Sequence, residues 1–302
     1  MRICSLLPSA TEIVGRLGLS DCLVGVSAEC NWPPEVRRLP VVTSARVDTG
    51  SLSSGEIDAA VRDAIADGTP LYAIDADLLA ELRPDVIVTQ DLCAVCAVSS
   101  GDVTTLSPTD ARIVSLDPRT LDEIAGSVEQ LGRELDAVER AAEVAADFRA
   151  AIRAVEELVA GLPRKRVFVA EWLDPPFAAG HWVPEMVAAA GGEEVLGRAG
   201  EPSFATTWEE VRDAAPELIV LAPCGFDDAR AAREAAGLGL PADAVAVDAD
   251  AYYSRPSPSV ADGIRQLAFL LHPSVAPDPG LPYQTGSRRT IATAPATEST
   301  PT

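Results

Sequence analysis

Short apolar runs alternate with helix signals along almost the whole chain, and this alternation constrains the fold more than any other feature. The apolar runs are residues 2–7, Leu23-Val24-Gly25-Val26, Val86-Ile87-Val88, Ile113-Val114-Ser115, 166–171, Leu218-Ile219-Val220-Leu221 and Val245-Ala246-Val247. Helix signals lie between them, so the runs read as parallel strands covered on both faces. Three S/T-x-x-E sequences, Ser9 to Glu12, Thr120 to Glu123 and Thr207 to Glu210, predict capping boxes that open helices. Further helices are expected over 54–66, over 184–190 before Gly191-Gly192, and over 259–271.

The middle of the chain has a different pattern. From Thr120 to about Ala160 no proline interrupts it, and Ile124, Val128, Leu131, Leu135 and Val138 recur at helical spacing. One helix of about 40 residues would span roughly 60 Å and act as a strut. The alternative is two helices broken near Gly132. On either side, Glu81-Leu82-Arg83-Pro84-Asp85-Val86-Ile87-Val88 is echoed by Asp213-Ala214-Ala215-Pro216-Glu217-Leu218-Ile219-Val220. The echo points to two related lobes. We therefore expect an α/β protein of two Rossmann-like lobes joined by a long backbone helix. Its divisions are an N-terminal lobe over 1–119, the connecting helix over 120–161, a C-terminal lobe over 162–273, and a disordered Pro/Thr/Ser/Ala-rich tail over 274–302.

Composition excludes several classes of function. The formal net charge is −22, and no basic cluster exceeds Arg164-Lys165-Arg166. Nucleic acid and anionic membrane surfaces are therefore not expected partners. No run approaches the roughly 20 apolar residues of a membrane span, and Met1-Arg2 leads straight into a strand rather than a secretory signal, so we expect a cytoplasmic monomer. The six cysteines are too sparse for a disulfide scaffold. GxSxG, Walker A and GxGxxG sequences are absent, so no catalytic residue is read.

Ligands of open α/β sheets sit beyond the carboxyl ends of the strands. The segments predicted there are rich in aromatics. Cys30 and Trp32 follow the second strand, and Gln90, Cys93 and Cys96 follow Val88. Trp172, Phe177, His181 and Trp182 follow the first strand of the second lobe, Phe204 precedes a helix, and Tyr252, Tyr253 and Arg255 follow Val247. Three of the four tryptophans and two of the four tyrosines fall in this set, which suits a large, flat, partly apolar ligand. Each aromatic could equally pack its own loop onto its lobe. Cys93-Ala94-Val95-Cys96 reads as two small loop residues, a thiol contact to the ligand, a redox pair or half a metal site. His181 reads as an axial ligand to cobalt or iron, a hydrogen-bond donor or a structural residue, and His272 as a helix-end cap.

Several of these segments carry a resemblance. Ser5-Leu6-Leu7-Pro8-Ser9-Ala10-Thr11-Glu12, Leu23 to Ser27, and Asn31-Trp32-Pro33-Pro34-Glu35 resemble the opening of the vitamin B12-binding proteins of the iron-siderophore/B12 class of ABC importers. Leu82-Arg83-Pro84-Asp85-Val86-Ile87, Asp174 to Gly180, and Arg255-Pro256-Ser257-Pro258 are similar to later segments of that class. The resemblance implies the helical-backbone substrate-binding fold and cobalamin, or a related corrinoid, clamped between the lobes without catalysis. Trp32, Phe177, Tyr252, Tyr253 and Arg255 would contact it, and Asp77 and Glu209 would dock on a partner. That partner would be an ABC permease or, for a signal-less cytosolic branch, a B12 acceptor protein. The sequence departs from the class over 48–74, which look like an insertion, and in the Cys93/Cys96 pair. Heme, an iron-siderophore, or a Cys/His metal centre acting on a corrinoid are the alternatives, with His181, Cys93 and Cys96 as metal candidates.

Overall fold

The computed structural model describes residues 1–47, 49–91, 101, 103–104, 110–287 and 290–292. The chain forms two compact units, Met1–Ile152 with Arg255–Ser259, and Arg153–Ser254 with Val260–Thr302. The five residues from Arg255 thus belong to the first unit although the chain on both sides belongs to the second.

In the first unit β1 (Ile3–Ser5), β2 (Leu23–Val26), β5 (Val86–Thr89) and β6 (Arg112–Ser115) form a parallel sheet in the order β2-β1-β5-β6. Every residue of β5 is buried, as a strand covered on both faces requires. Cys4, Leu6, Val42, Leu79 and Ile87 form one core cluster. Gly25 of β2 lies so close to it that a Cβ there would come within 2.8 Å of Leu82. Beside this sheet β3 (Thr43–Ala45) and β4 (Tyr72–Ile74) pair antiparallel. Between them runs α2 (Ser54–Ala66), opened by a complete Ser53–Glu56 capping box. Its limits are those the sequence predicts.

The helix α1 (Pro8–Arg16) corrects one expectation. Ser9 is not its cap: Leu7 takes that place with no side-chain hydrogen bond, and Pro8 opens the first turn. Proline at this point has its φ already set for a helix and no N–H to satisfy. Ser9 and Glu12 are thereby carried inside the helix and buried. The residues α3 (Ala76–Leu82) begin at an Asp75 cap that accepts the N–H of Leu78.

The predicted strut is two helices, α4 (Leu121–Glu134) and α5 (Val138–Val159). The break falls at Leu135–Ala137, where Asp136 has φ 56°. Gly132 lets the two helices meet there, since a Cβ on it would lie 2.2 Å from that of Ala141. α5, with 22 residues, carries the chain from the first unit into the second.

In the second unit β7 (Lys165–Leu173) is the longest strand. It pairs in parallel with β11 (Leu218–Leu221) and β9 (Gly192–Glu194), and antiparallel with β8 (Pro176–Ala178), which in turn pairs with β10 (Phe204–Ala205). β12 (Asp243–Val247) lies parallel to β11. α6 (Val183–Ala189), α7 (Trp208–Asp213), α8 (Asp228–Ala235), α9 (Ala249–Tyr252) and α10 (Val260–Leu271) complete the unit. Their buried faces include Met186, Val211, Ala231, Ala249 and Leu267. The predicted cap of α7 is present in both halves, Thr207 to Glu210 and back. The expected disordered tail is corrected over part of its length. β13 (Tyr283–Ser287) pairs with β12 and β14 (Thr290–Ala292) pairs with β13, both antiparallel. Residues 293–302 lie outside the described residues.

Candidate functional site

In the first unit the carboxyl end of β2 leads into residues 27–33. Cys30 is anchored there, its Sγ 3.0 Å from Thr11 Oγ1 and 3.2 Å from Ser27 Oγ. It is buried, and burial pushes the thiol's pKa up in spite of those hydrogen bonds. Trp32 is different. It is 40 % exposed, with the Arg16 guanidinium carbon 5.3 Å from its ring centroid and Gly15 of α1 tight against it. Arg255 is buried, its Nη1 donating to Asn31 Oδ1 at 2.7 Å and its Nη2 to the Glu29 carbonyl at 3.4 Å. Gln90, just beyond β5, is buried. Cys93 and Cys96 lie outside the described residues.

The same first unit contains a feature the sequence reading missed. Glu12 Oε2 accepts from Ser257 Oγ at 2.7 Å, and Glu12 Oε1 accepts from Ser259 Oγ at 2.7 Å, from the Ser259 N–H at 3.1 Å and from Arg16 Nε at 2.7 Å. These bonds hold the Arg255–Ser259 turn on the first unit. The signal was an acid on the buried face of a short helix, which the capping-box reading had absorbed.

In the second unit the β7–β8 hairpin sets Trp172 opposite Phe177. Both are half-buried, and Trp172 packs on Phe226 with ring centroids 5.3 Å apart. Arg230 covers Phe226, its guanidinium carbon 3.8 Å from the ring centroid. Phe226 and Arg230 were also missed, because nothing in their local sequence marks them. Phe204 on β10 is half-buried under Arg198, 4.5 Å away. His181 is half-buried with φ 49°, a left-handed conformation held by its N–H donating to Glu201 O at 2.7 Å and its carbonyl accepting from Gly200 at 2.9 Å. Tyr252 is half-buried at the end of α9.

Two further residues expected to face a ligand are buried in this unit. Trp182 is buried, and its Nε1 donates to the Tyr253 carbonyl at 2.9 Å. Tyr253 is buried, and its hydroxyl donates to Gln266 Oε1 at 3.0 Å, with its pKa raised well above the usual tyrosine range by burial. The two rings fasten α6, α9 and α10 together. His272 stands just past α10, where its backbone N–H donates to the Ala268 carbonyl at 2.8 Å, and its Nε2 faces the Gly191 carbonyl at 3.2 Å. Cys224 is an exposed free thiol. Among the described residues no cluster of three or more His, Cys, Asp or Glu could hold a metal ion. Also among them, no helix is long and apolar enough to cross a membrane.

Two α/β units, with a long helix running from one into the other and with half-buried or exposed aromatics beyond their strand ends, define a substrate-binding protein fold. The chain belongs to the periplasmic binding protein family, whose model matches residues 3–238. It is 26% identical over 226 residues to the vitamin B12-binding protein of Yersinia pestis, covering 73% of this chain and 69% of that protein. The crystal structure of the periplasmic vitamin B12 binding protein of Vibrio cholerae is similar with a TM-score of 0.66 and 24% identity, over 89% of this chain and 96% of that one. A periplasmic heme binding protein from Pseudomonas aeruginosa gives a TM-score of 0.69 at 20% identity, over 91% and 93% of the two chains. An ABC transporter substrate-binding protein from Listeria monocytogenes gives 0.67 at 17%, over 90% and 98%. The expected family and fold are thus both found.

Proposed function

We propose that the chain binds cobalamin or a related corrinoid, without catalysis, for uptake, delivery or storage. The observation that carries this reading is Trp32. It is an exposed indole at the carboxyl end of β2, on the segment of the first unit that also holds Arg255. An exposed ring with the Arg16 guanidinium at one face suits a large planar macrocycle with polar amide edges. The curated relatives in the same family, named as vitamin B12-binding proteins, support the choice of corrinoid. Trp172 and Phe177 are the corresponding half-buried aromatics of the second unit.

A second reading is favoured by His181, a half-buried imidazole on a strand-end segment, and by the likeness to a heme binding protein. It has heme as the ligand and His181 on the iron. Equilibrium dialysis against hydroxocobalamin and hemin, alone and in competition, separates the two. Retention of hydroxocobalamin in the presence of hemin supports the first reading, and retention of hemin alone the second.

Delivery would use Asp77 and Glu209, exposed acids in the first turns of α3 and α7, as the docking pair for an ABC permease or an acceptor protein. Cytoplasmic residence, expected from the sequence, belongs to the same proposal, and fractionation of cells producing the chain tests it.

A further inference from the structure

We propose that Glu12 is a positioning residue for ligand binding, its buried carboxylate fixing both Arg255 and Trp32. The proposal rests on the reading that the first unit presents these two side chains to a ligand. Glu12 is 4 % exposed and engages four donors. Hydrogen bonds to an ionised group are shorter and stronger than neutral ones.

Two arms leave that carboxylate. The first runs through Ser257 and Ser259, which are buried and half-buried, to the turn that begins at Arg255. The Ser257 N–H donates to the Arg255 carbonyl at 2.8 Å, so the turn is closed on itself behind the guanidinium. Arg255 then donates to Asn31. The second arm runs through Arg16. Its Nε is held by Glu12 and its Nη2 donates to Ser259 Oγ at 3.1 Å, which leaves the guanidinium carbon 5.3 Å from the Trp32 ring centroid. The arms end on adjacent residues, Asn31 and Trp32. One anion therefore sets both the cation and the ring. The effect of Glu12 on a ligand passes through Arg255 and Trp32.

The test uses the full chain with Glu12→Gln, which keeps the shape and removes the charge. Two readouts are needed. The first, without ligand, is the nitrogen-15 NMR signals of the Arg255 Nε–H and the Trp32 indole N–H, with the Trp172 indole as a reference in the other unit. The second is calorimetric titration with hydroxocobalamin, in the parent chain and in an Arg255→Ala, Trp32→Ala background. Expected is a shift of the Arg255 and Trp32 signals with that of Trp172 unmoved. Affinity should fall about tenfold in the parent, with no further loss in the double-variant background. Unmoved signals, or the same loss in both backgrounds, overturn the proposal and reduce Glu12 to a stabilising contact. If the parent takes up no corrinoid, the ligand reading fails while the NMR comparison still decides what Glu12 does. If Glu12→Gln does not fold, Ser257→Ala carries the test. It should move the Arg255 signal and leave Trp32 in place, and the opposite pattern contradicts the two arms.

Discussion

The Asp85 carboxylate accepts the backbone N–H of Arg2 at 2.6 Å, while the Asp85 N–H donates back to the Arg2 carbonyl at 2.8 Å. The second unit repeats this relationship: Glu217 Oε2 accepts the Arg166 N–H at 2.9 Å, and the Glu217 N–H donates to the Arg166 carbonyl at 2.8 Å. In each unit the arginine also binds carbonyls at the end of the preceding helix, Leu82 for Arg2, Ala214 and Ala215 for Arg166. The Pro-acid turn therefore clamps the start of one strand to its neighbour in both units. Asp85→Ala and Glu217→Ala should each cost about 1 kcal/mol, the net worth of an exposed charge-assisted bond, and the two losses should add. Urea denaturation of the single and double variants measures this.

Ahead of each turn stands a residue other than glycine in the left-handed region, Arg83 at φ 42° and Ala215 at φ 48°. That conformation crowds a Cβ against the following carbonyl. Ala215→Gly should raise stability by about 1 kcal/mol, the relief exceeding glycine's entropic cost. A lowered urea midpoint would show that the Cβ is accommodated.

Gly132 should tolerate no side chain. Its Cβ would meet that of Ala141 at 2.2 Å, and the Ala137 N–H donates to the Gly132 carbonyl at 2.8 Å across the same turn. Gly132→Ala is expected to destabilise the first unit by about 2 kcal/mol through overpacking, measured by thermal or urea unfolding.

Glu194 predicts a pH dependence. Its carboxylate accepts the N–H groups of Val169, Leu196 and Gly197, yet burial outweighs them and pushes its pKa up to about 7 from 4.5. Between those values the folded chain holds a proton that the unfolded chain has lost, so stability falls as pH rises through this window. Glu194→Gln should flatten that part of the slope. Urea midpoints at about pH 5.5 and about pH 8 should differ less in the variant than in the parent.

The strands β1, β2, β5, β6, β7, β11 and β12 were legible because buried parallel strands are short apolar runs, and α2 because its pattern is both capped and periodic. Side-chain roles were less so. Ser9-Ala10-Thr11-Glu12 and Thr207-Trp208-Glu209-Glu210 match the same capping pattern, but Pro8 opens the first helix a residue early and releases Glu12 for Ser257 and Ser259. Trp172 and Trp182 both follow β7's apolar run, and only packing decides that one stays half-exposed while the other donates to Tyr253 inside the unit. β13 escaped notice because its neighbours are Pro- and Thr-rich and its pairing partner, β12, is distant in sequence.

Trp32→Ala and Trp172→Ala should each weaken binding of a flat macrocycle by about tenfold, in line with the loss of one aromatic contact, while leaving the unfolding midpoint nearly unchanged. Trp182→Ala should instead lower the midpoint, because its ring and indole N–H are committed to the core. Parallel calorimetry and thermal unfolding of the three variants test the division between ligand-facing and structural aromatics.

The most direct measurement is calorimetric titration of the purified full chain with hydroxocobalamin, read together with the visible spectrum. Saturable binding of one corrinoid per chain, weakened in Trp32→Ala, is the predicted result. No heat and no spectral change with hydroxo-, cyano- or adenosylcobalamin, in a chain that is folded, would contradict the corrinoid reading.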